Sequence, residues 1–396
     1  MVAIRRVPES DFDRYRRLIE YAFSPEDGPG LDDQPPNRIA DRYGLYENDR
    51  LLATGAVYEL DIRLRGTWTT IGGIAAVSSL PEHRRSGNVE RLLAGLLSES
   101  REREFGFAAL WPFEHAFYRQ FGWAITNRYT TYELPPEQLA AAGTTACGTY
   151  ERVGPDDWER LEPVQRAHAK GTTLSMGRSE QWWRDRTFGD DPPWAYGWRD
   201  GDDLRGYVTY AFESKDCGTV IDVEDFSAAD RKARDHLLGL LGTHDSQVDH
   251  VELTLAEEAA LLDRVRDPGA VSCSIHAGPM LRVSDPRLAL EPCPYPDGVS
   301  ARVVFEVTDP ISDDQLSDQI GVDSRIELTV EDGAGTCEPT QADPDATVDV
   351  GTLAQLLVGY RPVADVQERG LDCGDETAAT LKTLFPKERV QLREFF

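Results

Sequence analysis

A chain of 396 residues with 70 acidic against 42 basic side chains carries a formal charge of −28, which repels nucleic acid and anionic membranes and argues against both as partners. With 40% hydrophobic and 9% aromatic residues it reads as globular rather than disordered, and its length suits two or three domains. No stretch approaches the roughly 18 uninterrupted apolar residues of a membrane helix, and Met1 to Arg6 lead into charged sequence without an apolar secretion segment, so a cytoplasmic location is expected.

Only five of the basic residues are Lys, and the acids are spread along the chain instead of forming one tail. That pattern is similar to proteins of salt-loving organisms, whose carboxylates keep the surface hydrated. An acidic patch for a cationic partner would cluster instead. The six cysteines (147, 217, 273, 293, 337 and 373) include no CxxC pair, and the seven His residues stand apart, so no zinc spacing exists and no metal is expected. Reduced, mostly buried thiols are the simple reading.

The first 135 residues alternate helix and strand signals. Phe12, Tyr15, Leu18, Ile19 and Phe23 recur at helical spacing and predict an amphipathic helix over 11–23. Strands follow over 42–46, 51–58, 60–65 and 68–77. Next comes Ser86-Gly87 and a helix with Val89, Leu92, Leu93, Leu96 and Leu97 on one face, then a buried strand over 107–110, a short helix over 116–121 stopped by Gly122, and a strand over 128–134. Residues 150–285 repeat this grammar: strands over 194–198, 204–212 and 219–225, a helix over 227–241 and a strand over 250–255. The head of that second helix, Phe226 to Asp230, lacks a basic, glycine-containing turn, so the repeat reads as a copy without a cofactor site. Trp182, Trp183, Trp194 and Trp198 are expected mostly in its core rather than in an aromatic amine pocket. The Pro-rich run Glu291 to Pro296 reads as a linker or rigid crossing. Beyond it, strands over 301–307 and 325–330, a loop over 331–335 and helices over 351–358 and 375–385 suggest a small α+β domain.

Ile74 to Gly87 is the most informative segment. A strand runs into the basic turn Arg84-Arg85-Ser86-Gly87, which opens a helix. The first turn of a helix leaves backbone N–H groups unpaired at the positive end of its dipole, a natural pyrophosphate site. Gly87 lets a phosphate approach the backbone, and Arg84 and Arg85 add charge. By itself such a turn also fits a solvated helix start.

The pattern Arg-x-x-Gly-x-small resembles the acetyl-CoA motif of the GNAT acetyltransferases, with Val89 in place of the usual small residue. Some 30 residues on, Ala116 to Trp123 look like that family's Phe-Tyr-x-x-x-Gly-Phe segment. Val77-x-x-x-Pro81-x-His83-Arg84-Arg85-x-Gly87, Pro112-x-Glu114-x-x-x-Tyr118-x-x-Phe121-Gly122 and the aromatic ending Phe395-Phe396 resemble the Eis (enhanced intracellular survival) acetyltransferases. The resemblance implies an α/β (α+β) chain of two tandem GNAT folds plus a sterol-carrier-like domain: a catalytic GNAT domain over 1–148, a degenerate one over 149–289 and a sterol-carrier-protein-like domain over 290–396.

It further implies that acetyl-CoA lays its pantetheine along Val77, Ser78 and Ser79 and its pyrophosphate on the amides of Arg85, Ser86, Gly87, Asn88, Val89 and Glu90, with Phe113 and Glu114 near the thioester. Phe113 stands where Eis proteins commonly have a small residue, and Glu90 puts a carboxylate near phosphates. The resemblance makes Tyr118 the general acid and the terminal carboxylate of Phe396 the general base, and suggests a homo-oligomer, a hexamer by analogy. The acceptor is expected to be a primary amine of a polyamine, an aminoglycoside-like compound or a lysine. A hydrophobic-ligand or lipid carrier, resting on the third domain, is the alternative function.

Overall fold

The computed structural model describes residues 2–24, 39–139, 147–216, 218–257, 259–311 and 324–396; Cys217 and most of the small-residue stretch 140–149 lie outside them. The chain forms two compact units. One comprises Met1–Asn127, Thr172–Met176 and Pro279–Phe396; the other comprises Arg128–Gly171 and Gly177–Gly278.

The first unit opens with β1 (Val2–Arg6), α1 (Phe12–Phe23), β2 (Ala40–Glu47), β3 (Arg50–Leu64), β4 (Thr67–Ser79), α2 (Asn88–Glu102), β5 (Phe107–Leu110), α3 (His115–Arg119) and β6 (Ala124–Ile125). The segments expected as separate strands over 51–58 and 60–65 are one long β3. Its residues alternate cleanly through that point, with Leu60, Ile62 and Leu64 buried and Glu59 and Asp61 facing water, so nothing breaks the ladder with β4. Leu92, Leu93, Leu96 and Leu97 of α2 are almost fully buried and pack with Val57 and Ile74 of the sheet in one core.

The second unit contains β7 (Arg128–Leu134), β8 (Thr149–Arg152), α4 (Trp158–His168), a short α5 (Glu180–Trp182), β9 (Trp194–Asp200), β10 (Asp203–Lys215), β11 (Gly218–Ala228), α6 (Arg231–Gly242), β12 (His250–Ala256) and β13 (Ser272–Ala277). Its sheet runs β13-β7-β12-β11-β10-β9-β8. The strand over 128–134 therefore completes the second sheet. The helix expected from 227 begins at Arg231, because Phe226, Ser227 and Ala228 stay in the buried ladder and the Asp230 carboxylate caps the helix by accepting from Ala233 N–H at 2.9 Å. Trp182, Trp183 and Trp198 are buried, whereas Trp194 is half exposed. The helix α4 gave no clear sequence signal: its interior Pro163 reads as a breaker, yet Leu161 and Val164 are buried on either side of it.

Back in the first unit, β14 (Met280–Val283) inserts between β5 and β6, giving the order β1-β2-β3-β4-β5-β14-β6. After α7 (Pro286–Leu290) the Pro-rich run is a rigid crossing: Cys293 and Tyr295 are buried, and the Tyr295 hydroxyl donates to Leu290 O at 2.7 Å. The third sheet, β17-β16-β15-β18-β19, is built from β15 (Ala301–Thr308), β16 (Ser324–Glu331), β17 (Ala334–Pro339), β18 (Ala346–Asp349) and β19 (Asp372–Cys373), with α8 (Val350–Leu357), α9 (Val363–Gln367) and α10 (Asp375–Leu384). The expected loop over 331–335 is a tight hairpin turn at Asp332-Gly333, both at positive φ, and its far side is already β17. Among the described residues no helix is long and apolar enough to cross a membrane, and no group of three or more His, Cys, Asp or Glu stands close enough to hold a metal. Of the five described cysteines, all free thiols, Cys293 and Cys337 are buried, Cys147 and Cys373 half-buried and Cys273 exposed.

Candidate functional site

The site is built where β4 parts from β5. These parallel strands pair only at Gly72↔Ala108 and Gly73↔Ala109. From Ile74 to Ser79, β4 keeps β3 on one side and has no strand on the other among the described residues. A bulge sharpens the divergence. The register with β3 slips between Thr54 and Ala56, Ala76 sits at φ +54°, and Thr54 Oγ1 braces the distortion by lying 2.6 Å from Ser78 Oγ and donating to Ala76 O at 3.3 Å. An open strand edge beside a fork accepts an extended, amide-bearing chain as an added strand would.

β4 leads through a 3-10 turn at Pro81–His83 into the basic turn. Arg85 (φ +57°) and Gly87 (φ +73°) are both left-handed, so successive N–H groups turn toward one side, as in an anion-binding nest. Gly87 is the N-cap of α2 and offers no side chain. The first helical N–H to find a partner is that of Arg91, on Gly87 O at 3.0 Å; those of Asn88, Val89 and Glu90 have none among the described residues. The two arginines differ in task. Arg84 Nε donates to Ser79 O at 3.2 Å and its guanidinium stands 5.6 Å from the Tyr21 ring centre, clamping the strand end. Asn88 Nδ2 locks the turn by donating to His83 O at 3.0 Å.

Strand edge and helix start face one cavity of about 580 Å³. It is lined by Val77, Ser78, Ser79, Arg85, Gly87, Asn88, Val89, Glu90 and Phe113 of the sequence-derived set; Ser86, Glu114, Tyr118 and Phe396 are not among its lining residues. Ser86 Oγ folds back onto Arg84 O at 3.2 Å, and Glu114 uses its carboxylate to cap α3, accepting from Ala116 N–H at 3.1 Å. Reasoning from motifs missed Ala22, Phe23, His83, Phe117 and Phe121, which also line it. Phe117 and Phe121 were findable from their four-residue spacing about Tyr118. Phe23, expected on the buried face of α1, is 55% exposed and lines the cavity instead.

Tyr118 lies just behind that lining. It is buried, with its ring edge-on to Phe113 and Phe117 at 5.4 and 5.2 Å between centres. Burial among aromatics pushes the phenol well above its usual range, so the hydroxyl keeps its proton throughout the physiological range.

The last ten residues run back across the same sheet. Thr173 N–H donates to Arg389 O at 2.7 Å and Thr173 O accepts from Gln391 N–H at 2.9 Å; Leu392 N–H reaches Asn127 Oδ1 at 3.0 Å, and Trp111 Nε1 donates to Glu394 O at 2.7 Å. Phe395 packs on Trp111, and the Phe396 ring is buried 5.7 Å from that of Tyr58. A Cβ at Gly73 would come within 2.9 Å of Phe396 Cε2. Gly73 is the last β4 residue paired with β5, so the tail ends at the fork.

Three stretches of the chain match known domain families. Acetyltransferase (GNAT) domain families match residues 3–126 and 174–283, and the sterol carrier protein domain family matches 286–393. The chain is a tandem GNAT N-acetyltransferase. A relative described as an uncharacterized N-acetyltransferase of Streptomyces avermitilis is 26% identical, with 80% of this chain and 78% of the relative covered. Among solved structures, a probable N-acyltransferase of Enterococcus faecalis aligns over 100% of both chains with a TM-score of 0.87 at 20% identity. Eis1 of Mycobacterium abscessus aligns over 100% of both with a TM-score of 0.76 at 23% identity. The acetyltransferase therefore shares the three-part Eis fold, and its second GNAT repeat carries no counterpart of the glycine turn at the head of α6.

Proposed function

We propose that the enzyme transfers an acetyl group from acetyl-CoA to a primary amine by direct attack, and that the cavity beside the β4–β5 fork holds the cosubstrate. The observation that carries this reading is the uncapped start of α2, with Arg85 and Gly87 left-handed, opening into the cavity walled by the free edge of β4. The amides from Arg85 to Glu90 bind the pyrophosphate. The edge at Val77, Ser78 and Ser79 pairs with the pantetheine amides, and Phe113 packs near the thioester. At about 580 Å³ the cavity falls within the ordinary range of small-molecule sites.

In the reaction the neutral amine attacks the thioester carbonyl, a C–N bond forms, and the C–S bond breaks. The Tyr118 hydroxyl gives its proton to the departing thiolate. The proton shed by the amine goes to the carboxylate that Phe396 carries as the last residue of this sequence; the tail that bears it is held at the fork through Glu394 O by Trp111, through Leu392 N–H by Asn127 and through the Phe396 ring by Tyr58. The sterol carrier domain serves to deliver that tail. An acceptor of the polyamine, aminoglycoside-like or lysine class suits an acidic protein. A homo-oligomer, a hexamer by resemblance to Eis enzymes, a cytoplasmic setting and a surface suited to high salt complete the proposal.

The test is an assay of thiol release from acetyl-CoA across a panel of amines in high KCl. Release that depends on an amine is expected; no binding of acetyl-CoA would overturn the reading. Adding one residue after Phe396 is expected to cost most of the rate, and an unchanged rate would remove the carboxylate from the mechanism.

A further inference from the structure

The first unit contains a second cavity, of about 630 Å³, on the far side of α3 from the cofactor cavity. Phe117 and Phe121 line the first cavity, while Arg119, Gly122 and Trp123 line the second. Its other wall comes from the end of β15 and from the sterol carrier domain, with Arg361 and Arg369 as its cations and Asp309 and Asp349 as its carboxylates.

The charge balance of this cavity runs against that of the protein. In a chain of net charge −28, three arginines converge here. Among the described residues, Arg119 and Arg369 form no ion pair, and Arg361 has one ionic partner, Asp365 at 3.8 Å, and lies 4.9 Å from the Tyr360 ring centre, with its Nε–H buried and without a hydrogen-bond partner. The cavity also holds two carboxylates, but both are committed. Asp309 accepts from the fully buried Arg282 through one oxygen and from Ile311 N–H at 2.9 Å through the other. Asp349 caps α8, accepting from Gly351 and Thr352 N–H at 2.9 Å each. The three guanidinium groups thus outnumber the two engaged carboxylates, Thr308 adds a hydroxyl to the lining, and the Thr352 hydroxyl donates to Asp349.

We propose that this cavity is a binding site for a small multivalent anion, of the phosphate-bearing or polycarboxylate class. Guanidinium groups on separate elements bind such a ligand through charge-assisted, bidentate hydrogen bonds, and the cavity volume suits a small metabolite rather than a macromolecule. The site touches the machinery proposed above without overlapping it. Arg119 directly follows Tyr118, and the turn after it is packed without slack: a Cβ on Gly122 (φ +81°) would meet Val350 Cγ2 at 2.7 Å, and one on Gly351 would meet Gly122 O at 2.5 Å.

Inorganic pyrophosphate and citrate serve as probes, titrated calorimetrically into the full chain and into Arg119→Gln, Arg361→Gln/Arg369→Gln and Arg85→Gln. Binding weakened at least about ten-fold by the first two substitutions, as loss of a charged hydrogen bond implies, and unchanged in Arg85→Gln is the expected result. Arg119 is exposed, so Arg119→Gln reports even where the double variant folds poorly. The proposal is overturned if neither probe binds, or if binding depends on Arg85 and ignores the three arginines.

Discussion

At the scale of single residues, two positions test the proposed site, a buried phenol and a glycine that leaves no room for a side chain. Tyr118 is packed against Phe113, Phe117 and Trp123, and burial raises the phenol so that it stays protonated. Tyr118→Phe keeps this packing and removes only the hydroxyl. It is expected to lower kcat roughly 100-fold or more while leaving acetyl-CoA affinity and the thermal midpoint within error, as stopped and steady-state thiol release beside calorimetry will show. Gly73 makes a complementary case. A Cβ there would lie 2.8 Å from Leu60 Cδ1 and 2.9 Å from the Phe396 ring. Gly73→Ala is expected to cost about 1–3 kcal/mol by overpacking and to lower kcat more than it raises KM for acetyl-CoA, because the ring that must yield belongs to the tail. A destabilised variant with full kcat would show that the tail's position is not used.

At the scale of elements, β14 is held by one buried ion pair. Arg282 is fully buried, donates to Asp309, to Phe121 O at 2.5 Å and to Val283 O at 3.2 Å, and lies 5.0 Å from the Trp123 ring centre. One side chain thus ties a central strand to the end of α3 and to the end of β15. Arg282→Met strands the Asp309 carboxylate, and Asp309→Leu strands the guanidinium. Each is expected to lose about 3–5 kcal/mol in urea unfolding, while the double variant recovers much of that loss, since a removed pair leaves no unpaired charge. Simple additivity would mean that the two groups act independently. The bulge in β4 is the second element-scale device. Its bracing by Thr54, a buried polar residue on the neighbouring strand, explains why Ala76 tolerates a positive φ without glycine.

At the scale of the whole molecule, buried acids that ionise only at high pH set the alkaline limit. The Cys293 thiol is pushed up to about 12 by burial, and the Tyr118 and Tyr295 phenols are also raised by burial. These groups keep their protons in the folded state after the unfolded chain has lost them. Their contribution is therefore fully present below the ordinary thiol and phenol range, roughly pH 8.5–10, and is lost progressively as pH rises from that range through the raised values of the folded state. Unfolding free energy measured by urea at constant salt is expected to fall steadily from pH 8 to 11; a flat profile would mean that these groups are ionised or solvated in the native state.

Local signals carried far along the chain. Helical spacing located α1 and α2, the strand signals of 42–77 located β2 to β4 except that they divided β3 in two, and the pairing of Arg84 to Gly87 with Tyr118 at family spacing pointed to the segments around the cavity beside the β4–β5 fork, because each rests on contacts between near neighbours. Gly87 stood out in the sequence as a point where a phosphate can approach the backbone; its positive φ, and that of Arg85 beside it, came from the structure. What sequence alone left undecided depends on distant pairing. That β7 joins the second sheet and β14 the first, and that Met280 to Val283 form a strand at all, is fixed by partners more than a hundred residues away, and Phe23 lines a cavity whose other walls come from β4 and the start of α2. The ending Phe395-Phe396 carried a resemblance, but its place at the β4–β5 fork follows from Trp111, Asn127 and Thr173, whose hydrogen bonds to the tail exist only once the sheet beneath them has formed.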